Sequence, residues 1–365
     1  MNKVFSGEIT LLKALAIMLV VSGHLEFSIF GMFPPYSFQL ALFFFISGML
    51  FKDKYLHDAA GYFLRRVKSL LVPYFCYESA YLLITLALVP VAGEFLGEAP
   101  SFKNFFITPF LNGHQLFLCA PLWFVPQLFI TLIIFLFLMR TLCLIKNKWL
   151  NLAFFTILGF GAIPLWKIIP SHTPFALVVM RTAFSLFFVY LGHFYIKYIK
   201  YNYNIFTPKW LGGIILFQAV LWLFNRDFDP SHGIGLSYVL VWGRFDLQII
   251  VPVFTSITGI WISLFTVKLL YPYLKNIKLL QHMGKVTYHI MANHLFVMYM
   301  ITIVLFYITG TPLSDKGSIY SIYNPVQTTY MYFIIVMLVT TYFGVFQQFA
   351  MEKIVTGLHN KMRKN

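Results

Sequence analysis

Charge is what this chain has least of. Asp, Glu, Lys and Arg make up 11% of its 365 residues, against about a quarter in an ordinary soluble domain. Acids are the scarcer sign, 12 against 27 Lys and Arg. Cysteine is rare too: Cys76, Cys119 and Cys143 are an odd number, all in or beside apolar runs. That excludes a disulfide framework and reads as small buried hydrophobes. The chain has no Walker loop, no G-x-S-x-G elbow and no G-x-G-x-x-G ahead of a strand. A covalent serine mechanism therefore has no sequence support. Low-complexity tails, clear internal repeats and a separate soluble domain are also missing.

What fills the chain is apolar. Hydrophobic residues are 59% and aromatics 19%. Ten runs approach the ~20 residues a helix needs to cross a bilayer: 8–30, 35–51, 69–92, 119–143, 149–168, 174–196, 210–224, 246–267, 279–307 and 326–350. Runs 35–51 and 210–224 are short. Lipid offers the backbone no hydrogen bonds, and no alternating barrel pattern is present, so the spans must be helices. The fold class is all-α, a polytopic transmembrane bundle forming one domain over 1–365, with a short tail from about 351. The first run is too long for a signal peptide and lacks a small-residue cleavage site, so it is expected to stay as the first span.

Ten spans put both termini on one side, and the cations indicate which. Nineteen of the 27 Lys and Arg fall in the termini and loops of the N-terminal side, five on the other side, and Lys13, Arg181 and Lys285 within spans. The positive-inside rule then makes both termini cytoplasmic. Much of the net charge of +15 is a topology signal and not a sign of nucleic acid. The outer loops 93–118 and 225–245 are long and aromatic, as functional loops often are, and are expected to fold back over a cavity. Segment 52–68 is amphipathic and is expected to lie along the inner surface.

Polar groups inside hydrocarbon cost several kcal/mol and mark functional sites by default. The first run, Gly7–Phe30, carries Lys13, His24 and Glu26. Lys13 and His24 are eleven residues apart, about three turns, so they share one face roughly 16 Å apart along the axis. Imidazole is the usual general base near neutral pH, and His24 is the candidate. Glu26 lies ~200° round the helix from His24 and is the second catalytic candidate, directed elsewhere. Arg65, Arg66 and Lys68 precede a helix start. They anchor topology, or clamp a polyphosphate through planar guanidinium donors. Glu78 is an unusual carboxylate in a span, and pairing with Lys13 or Arg181 is open. Trp123, in PLWFVPQLF, suits a membrane belt or a bent helix lining a cavity. In LLQHMGKVTYHIMANHLF, residues His282, Lys285, His289 and Asn293 form one polar stripe, and Thr287 and His294 another. His289 and His294 are five apart, not the four that aims two imidazoles at one ion, so no metal site is expected.

Five ordered stretches resemble the acyltransferase 3 family of integral-membrane O-acyltransferases. They are LLKALAIMLVVSGH, FFFISGMLF (Phe43–Phe51), RRVKSLLVPYF (Arg65–Phe75), PLWFVPQLF (Pro121–Phe129) and GKVTYHIMANH (Gly284–His294). Lys13 stands where the family usually has arginine, Leu11 and Leu12 replace a common acid, and the basic motif reads R-R-V-K-S.

The resemblance implies transfer of an acyl group, most often acetyl, from cytoplasmic acyl-CoA to a hydroxyl of a cell-envelope glycan or lipid-linked saccharide. His24 would be the general base. Lys13, Arg65, Arg66 and Lys68 would hold the polyanionic donor. Trp123, Lys285 or His294 would stabilise the oxyanion. Acetyl-CoA would be a substrate, with no resident cofactor, and the setting a bacterial plasma membrane. A glycan exporter or flippase is the competing reading; it predicts inverted repeats that are not evident. A non-catalytic membrane sensor leaves Lys13 and His24 unexplained.

Overall fold

The computed structural model describes residues 3–113, 116–142, 147–169, 172–225, 229, 234–245, 250–310 and 322–362. Cys143, and Lys146, Arg226, Lys316, Arg363 and Lys364 of the charge count, lie outside them. The described chain is a helical bundle. It contains α1 (Lys3–His24), α2 (Gln39–Met49), α3 (Ala59–Arg66), α4 (Val72–Ala92), α5 (Phe102–Phe106), α6 (Phe124–Leu142) and α7 (Lys148–Ile168). These are followed by α8 (Pro174–Phe194), α9 (Pro208–Phe224), α10 (Val251–Leu274), α11 (Lys278–Lys285), α12 (Thr287–Thr309) and α13 (Pro325–Met362). Among the described residues, eight helical stretches are long and apolar enough to cross a membrane. The two short runs form α2 and α9, of 11 and 17 residues. At 1.5 Å per residue α2 reaches only about 16 Å, roughly half the hydrocarbon core.

Two expectations need correction, and one segment is more continuous than the hydropathy runs suggest. From segment 52–68, α3 runs through a π-helical turn, Val67–Leu71, directly into α4. Pro73 has no N–H to return to the preceding turn, and such a gap is where a helix widens. The Tyr288 hydroxyl donates to the Leu70 carbonyl in that turn at 3.2 Å. The run 279–307 is two helices, broken at Val286 (φ −106°, ψ 24°), which divides its polar stripe. Cys76 is exposed on α4, not buried.

Lipid gives helices little hydrophobic reason to associate, so close van der Waals approach has to hold the bundle together. α2 meets α8 where Gly48 touches the Val189 carbonyl and Gly192 the Phe45 carbonyl. α1 meets α11 where Gly284 touches the Thr10 carbonyl. A methyl group at any of the three would collide with backbone.

The described parts of loops 93–118 and 225–245 are tied by a buried cation. Arg181 in α8 is 1% exposed. Its guanidinium donates to the carbonyls of Leu111 (3.2 Å), Asn112 (3.1 Å), Leu240 (3.2 Å) and Val241, and lies 5.2 Å over the Trp123 ring. Arginine's fixed fork suits several carbonyls at once. Residues 238–245 form a small hairpin, Tyr238 opposite Phe245. It is tied to the turn after α1: Tyr238 N–H donates to the Tyr36 carbonyl (2.9 Å) and Ser237 Oγ to the Pro35 carbonyl (2.7 Å).

Candidate active site

α1 stops at His24 for a local reason. Phe27 N–H bonds the Ser22 carbonyl (3.1 Å) and Glu26 N–H the Gly23 carbonyl (3.1 Å), a Schellman closure with Glu26 at the left-handed position (φ 58°). Glu26 is exposed on the outside of this turn and acts in helix termination. A non-glycine residue there costs roughly 1–2 kcal/mol. The chain then doubles back through Pro34 and Pro35 to Tyr36, also left-handed (φ 60°).

That return brings the Tyr36 hydroxyl to 2.9 Å from His24 Nδ1. The His294 ring of α12 faces His24 at 5.0 Å between centroids. His294 is 0% exposed. Its Nδ1 lies 3.1 Å from the Ile290 carbonyl. A carbonyl only accepts, so Nδ1 carries the proton, and the buried Nε2, which has no hydrogen-bond partner among the described residues, is an acceptor. His294 can therefore donate to an oxyanion only as imidazolium. The pair sits inside the bundle: His294 is seven residues, about 10 Å, from the start of α12 and fifteen, about 22 Å, from its end.

The other face of α12 is held by a buried network. Tyr77 Oη is 2.6 Å from His289 Nδ1 and donates to Gln347 Oε1 at 2.7 Å. Tyr81 Oη donates to Asn293 Oδ1 at 2.9 Å, and Asn293 Nδ2 donates to Gln347 Oε1 at 3.0 Å. These bonds fix the rotation of α12 against α4 and α13, and with it the aim of His294.

Lys13 is half-buried on α1 and shares the His24 face, as its spacing requires. Among the described residues it has no hydrogen-bond or ion-pair partner. Lys285 is exposed at the end of α11, next to the Gly284–Thr10 crossing, three residues before Lys13. Lys68 is exposed in the π-helical turn. Arg65 donates to Asp58 Oδ2 at 2.9 Å and lies 5.2 Å over the Tyr55 ring. The Gly61 N–H first, then the Arg65 guanidinium, hold the Asp58 carboxyl below its ordinary range. An anion at Arg65 must compete with that carboxylate. Arg66 stacks over Tyr62 at 4.8 Å. Trp123 is buried under Arg181 and is not a belt residue.

Sequence reasoning missed Tyr36; its only signal is the Pro-Pro-Tyr turn after the first span. It also missed a cavity of about 130 Å³ beside the start of α1, lined by Glu8, Leu12, Lys200 and Lys268 among others. Lys200 pairs with Glu8 at 3.0 Å and sits 3.5 Å over the Phe5 ring; burial pushes its amine below the usual lysine range. Glu78 is buried beside Tyr74, one turn earlier on α4, and Cys119 (Sγ to Oε1, 3.9 Å); among the described residues it pairs with neither Lys13 nor Arg181.

The model of the acyltransferase 3 family, described as an acyltransferase domain, matches residues 6–346. No curated protein and no solved structure matches the chain. With nearly its whole length matched, the chain belongs to that family and is a membrane acyltransferase.

Proposed function

We propose that this acyltransferase moves an acyl group, acetyl in the first instance, from cytoplasmic acyl-CoA to a hydroxyl of an envelope glycan, with His24 as general base. The observation that carries this is the end of α1: an imidazole held by Tyr36, faced by His294 inside the bundle, with Lys13 three turns away on the same wall. Donor and acceptor approach from opposite sides, and α1 spans the interval between them. The setting is a bacterial plasma membrane with both termini cytoplasmic.

His24 works as a base at Nε2 in the tautomer whose Nδ1–H donates to Tyr36 Oη. The glycan oxygen attacks the thioester carbonyl carbon as its proton passes to Nε2. The carbon–sulfur bond then breaks, and the proton moves on to the leaving thiolate. Tyr36 stabilises the imidazolium that forms in between. The His294 Nε2 acceptor orients the incoming hydroxyl, or takes up a proton and then donates to the oxyanion. On the donor side the cations available to CoA phosphates are Lys13, Lys68, Lys285 and the two arginines. Lys200 and Lys268 flank a separate opening at the start of α1.

The test is His24→Ala, with acyl ester measured on purified envelope glycan. Ester is expected to vanish at unchanged protein level. Retained ester would sink the general-base role. Ester present on internal glycan, with none at the surface, would favour an exporter.

A further inference from the structure

The return between α1 and α2 is irregular, yet it has to deliver the Tyr36 hydroxyl to His24. Tyr36 is also in the left-handed region (φ 60°), an uncommon conformation for a bulky side chain. Such a residue persists only where its surroundings over-determine it. What holds Tyr36 comes from far along the chain.

Four backbone carbonyls of the return each accept a hydrogen bond from another element. Gln218 Nε2 of α9 donates to the Met32 carbonyl at 2.9 Å, and the amide is fixed by Thr258 Oγ1, which donates to Gln218 Oε1 at 2.7 Å. The next three donors meet consecutive carbonyls. Ser237 Oγ donates to Pro35 (2.7 Å), Tyr238 N–H to Tyr36 (2.9 Å) and Ser256 Oγ of α10 to Ser37 (3.3 Å). Ser237, Tyr238 and Ser256 are all buried. Ser256 spends its one proton on Ser37, so the Tyr238 hydroxyl donates to Ser256 Oγ, 3.0 Å away. The Tyr238 ring stacks on Phe245 at 5.6 Å and meets the edge of Phe184 of α8 at 5.3 Å. Arg181, also of α8, holds the same hairpin by the Leu240 and Val241 carbonyls. The bond from Tyr36 to His24 is the last link of a chain that begins in α8 and α10. A hydrogen bond weakens steeply once it leaves its line, so that last link depends on the others.

We propose that Ser237, Tyr238 and Ser256 are positioning residues for acyl transfer: they pin the carbonyls of Pro35, Tyr36 and Ser37 so that Tyr36 Oη stays on His24 Nδ1. The proposal rests on the reading of His24 as the base and adds what aims it. The three residues act through Tyr36 and take no part in the proton transfer themselves.

The experiment is a double-mutant cycle on the full-length chain in detergent, with acetyl-CoA as donor, purified envelope glycan as acceptor and thiol release as the signal. Ser237→Ala should lower kcat roughly three- to tenfold, with KM for acetyl-CoA held within about twofold. Ser237→Thr keeps the hydroxyl and should restore most of the rate. In a Tyr36→Phe background no hydroxyl is left to aim, so Ser237→Ala should cost less than about twofold there, the scatter of independent sites. An equal fall in both backgrounds overturns the proposal, because the serine then supports the fold alone. Unchanged kcat in a folded Ser237→Ala variant overturns it too. If that variant does not fold, Ser256→Ala, at the longer contact, runs the same cycle under the same criteria. Failure of the catalytic reading looks different: no thiol release by the parent chain, or Tyr36→Phe with unchanged kcat, removes the base reading and the proposal with it. Additive losses beneath an active Tyr36→Phe effect remove only the positioning role.

Discussion

Tyr36→Phe tests the chemistry at His24 with the smallest available change. It removes one hydroxyl, 2.9 Å from Nδ1, and keeps the ring and the left-handed backbone, which is equally strained for either residue. A neutral hydrogen bond is worth about 0.5–1.5 kcal/mol net, and one to a charged group about 1.5–3. His24 is neutral before the reaction and cationic as it takes the proton, so the bond is stronger in the transition state. Only that difference, about 1–2 kcal/mol, enters kcat. At 1.36 kcal/mol per decade, kcat should fall roughly 5- to 30-fold. KM for donor and acceptor should stay within about twofold, since neither substrate gains or loses a contact. The assay is steady-state transfer from acyl-CoA, followed by thiol release, with the thermal transition recorded in parallel. An unchanged kcat would refute the imidazolium argument. So would a fall in transfer that is matched by KM alone.

Other outcomes follow from the packing and the charge layout. Gly284→Ala places a methyl against the Thr10 carbonyl and should destabilise the chain by about 1–3 kcal/mol, as overpacked sites do; an unchanged thermal midpoint would show that α1 and α11 can separate freely. Arg181→Lys keeps the charge but cannot serve four carbonyls. It should loosen both loops, read as faster amide exchange over residues 111–112 and 238–243. Lys13→Ala, and separately Arg65→Ala with Arg66→Ala, should raise the apparent KM for acyl-CoA with kcat less affected, and Lys13→Arg should retain donor binding. Unchanged donor KM in the double variant would return both arginines to topology anchors.

The outcome for Gly7–Phe30 shows what is readable locally. Lys13 and His24 share a face because helix geometry depends only on spacing, and α1 is continuous between them. Glu26 lies at ~200° on the same reasoning, yet its fate came from the turn: it is the left-handed residue that ends the helix. The apolar runs were legible for the same reason, since hydrocarbon thickness and backbone hydrogen bonding leave few choices. The splitting of 279–307 at Val286 and the π-helical turn before Pro73 were less legible, because each is a local break inside a run of suitable hydropathy.

By itself the sequence determined the bundle of apolar helices, the family, and the alignment of a cation with an imidazole along one helix. Only the tertiary structure decided the partners. Tyr36 and His294 meet His24, Arg181 meets four carbonyls from two loops, and among the described residues Glu78 meets Tyr74 and Cys119 and no cation. Spacing along a chain sets angles within a helix, but a buried polar group takes whichever partner the packing of distant helices carries to it.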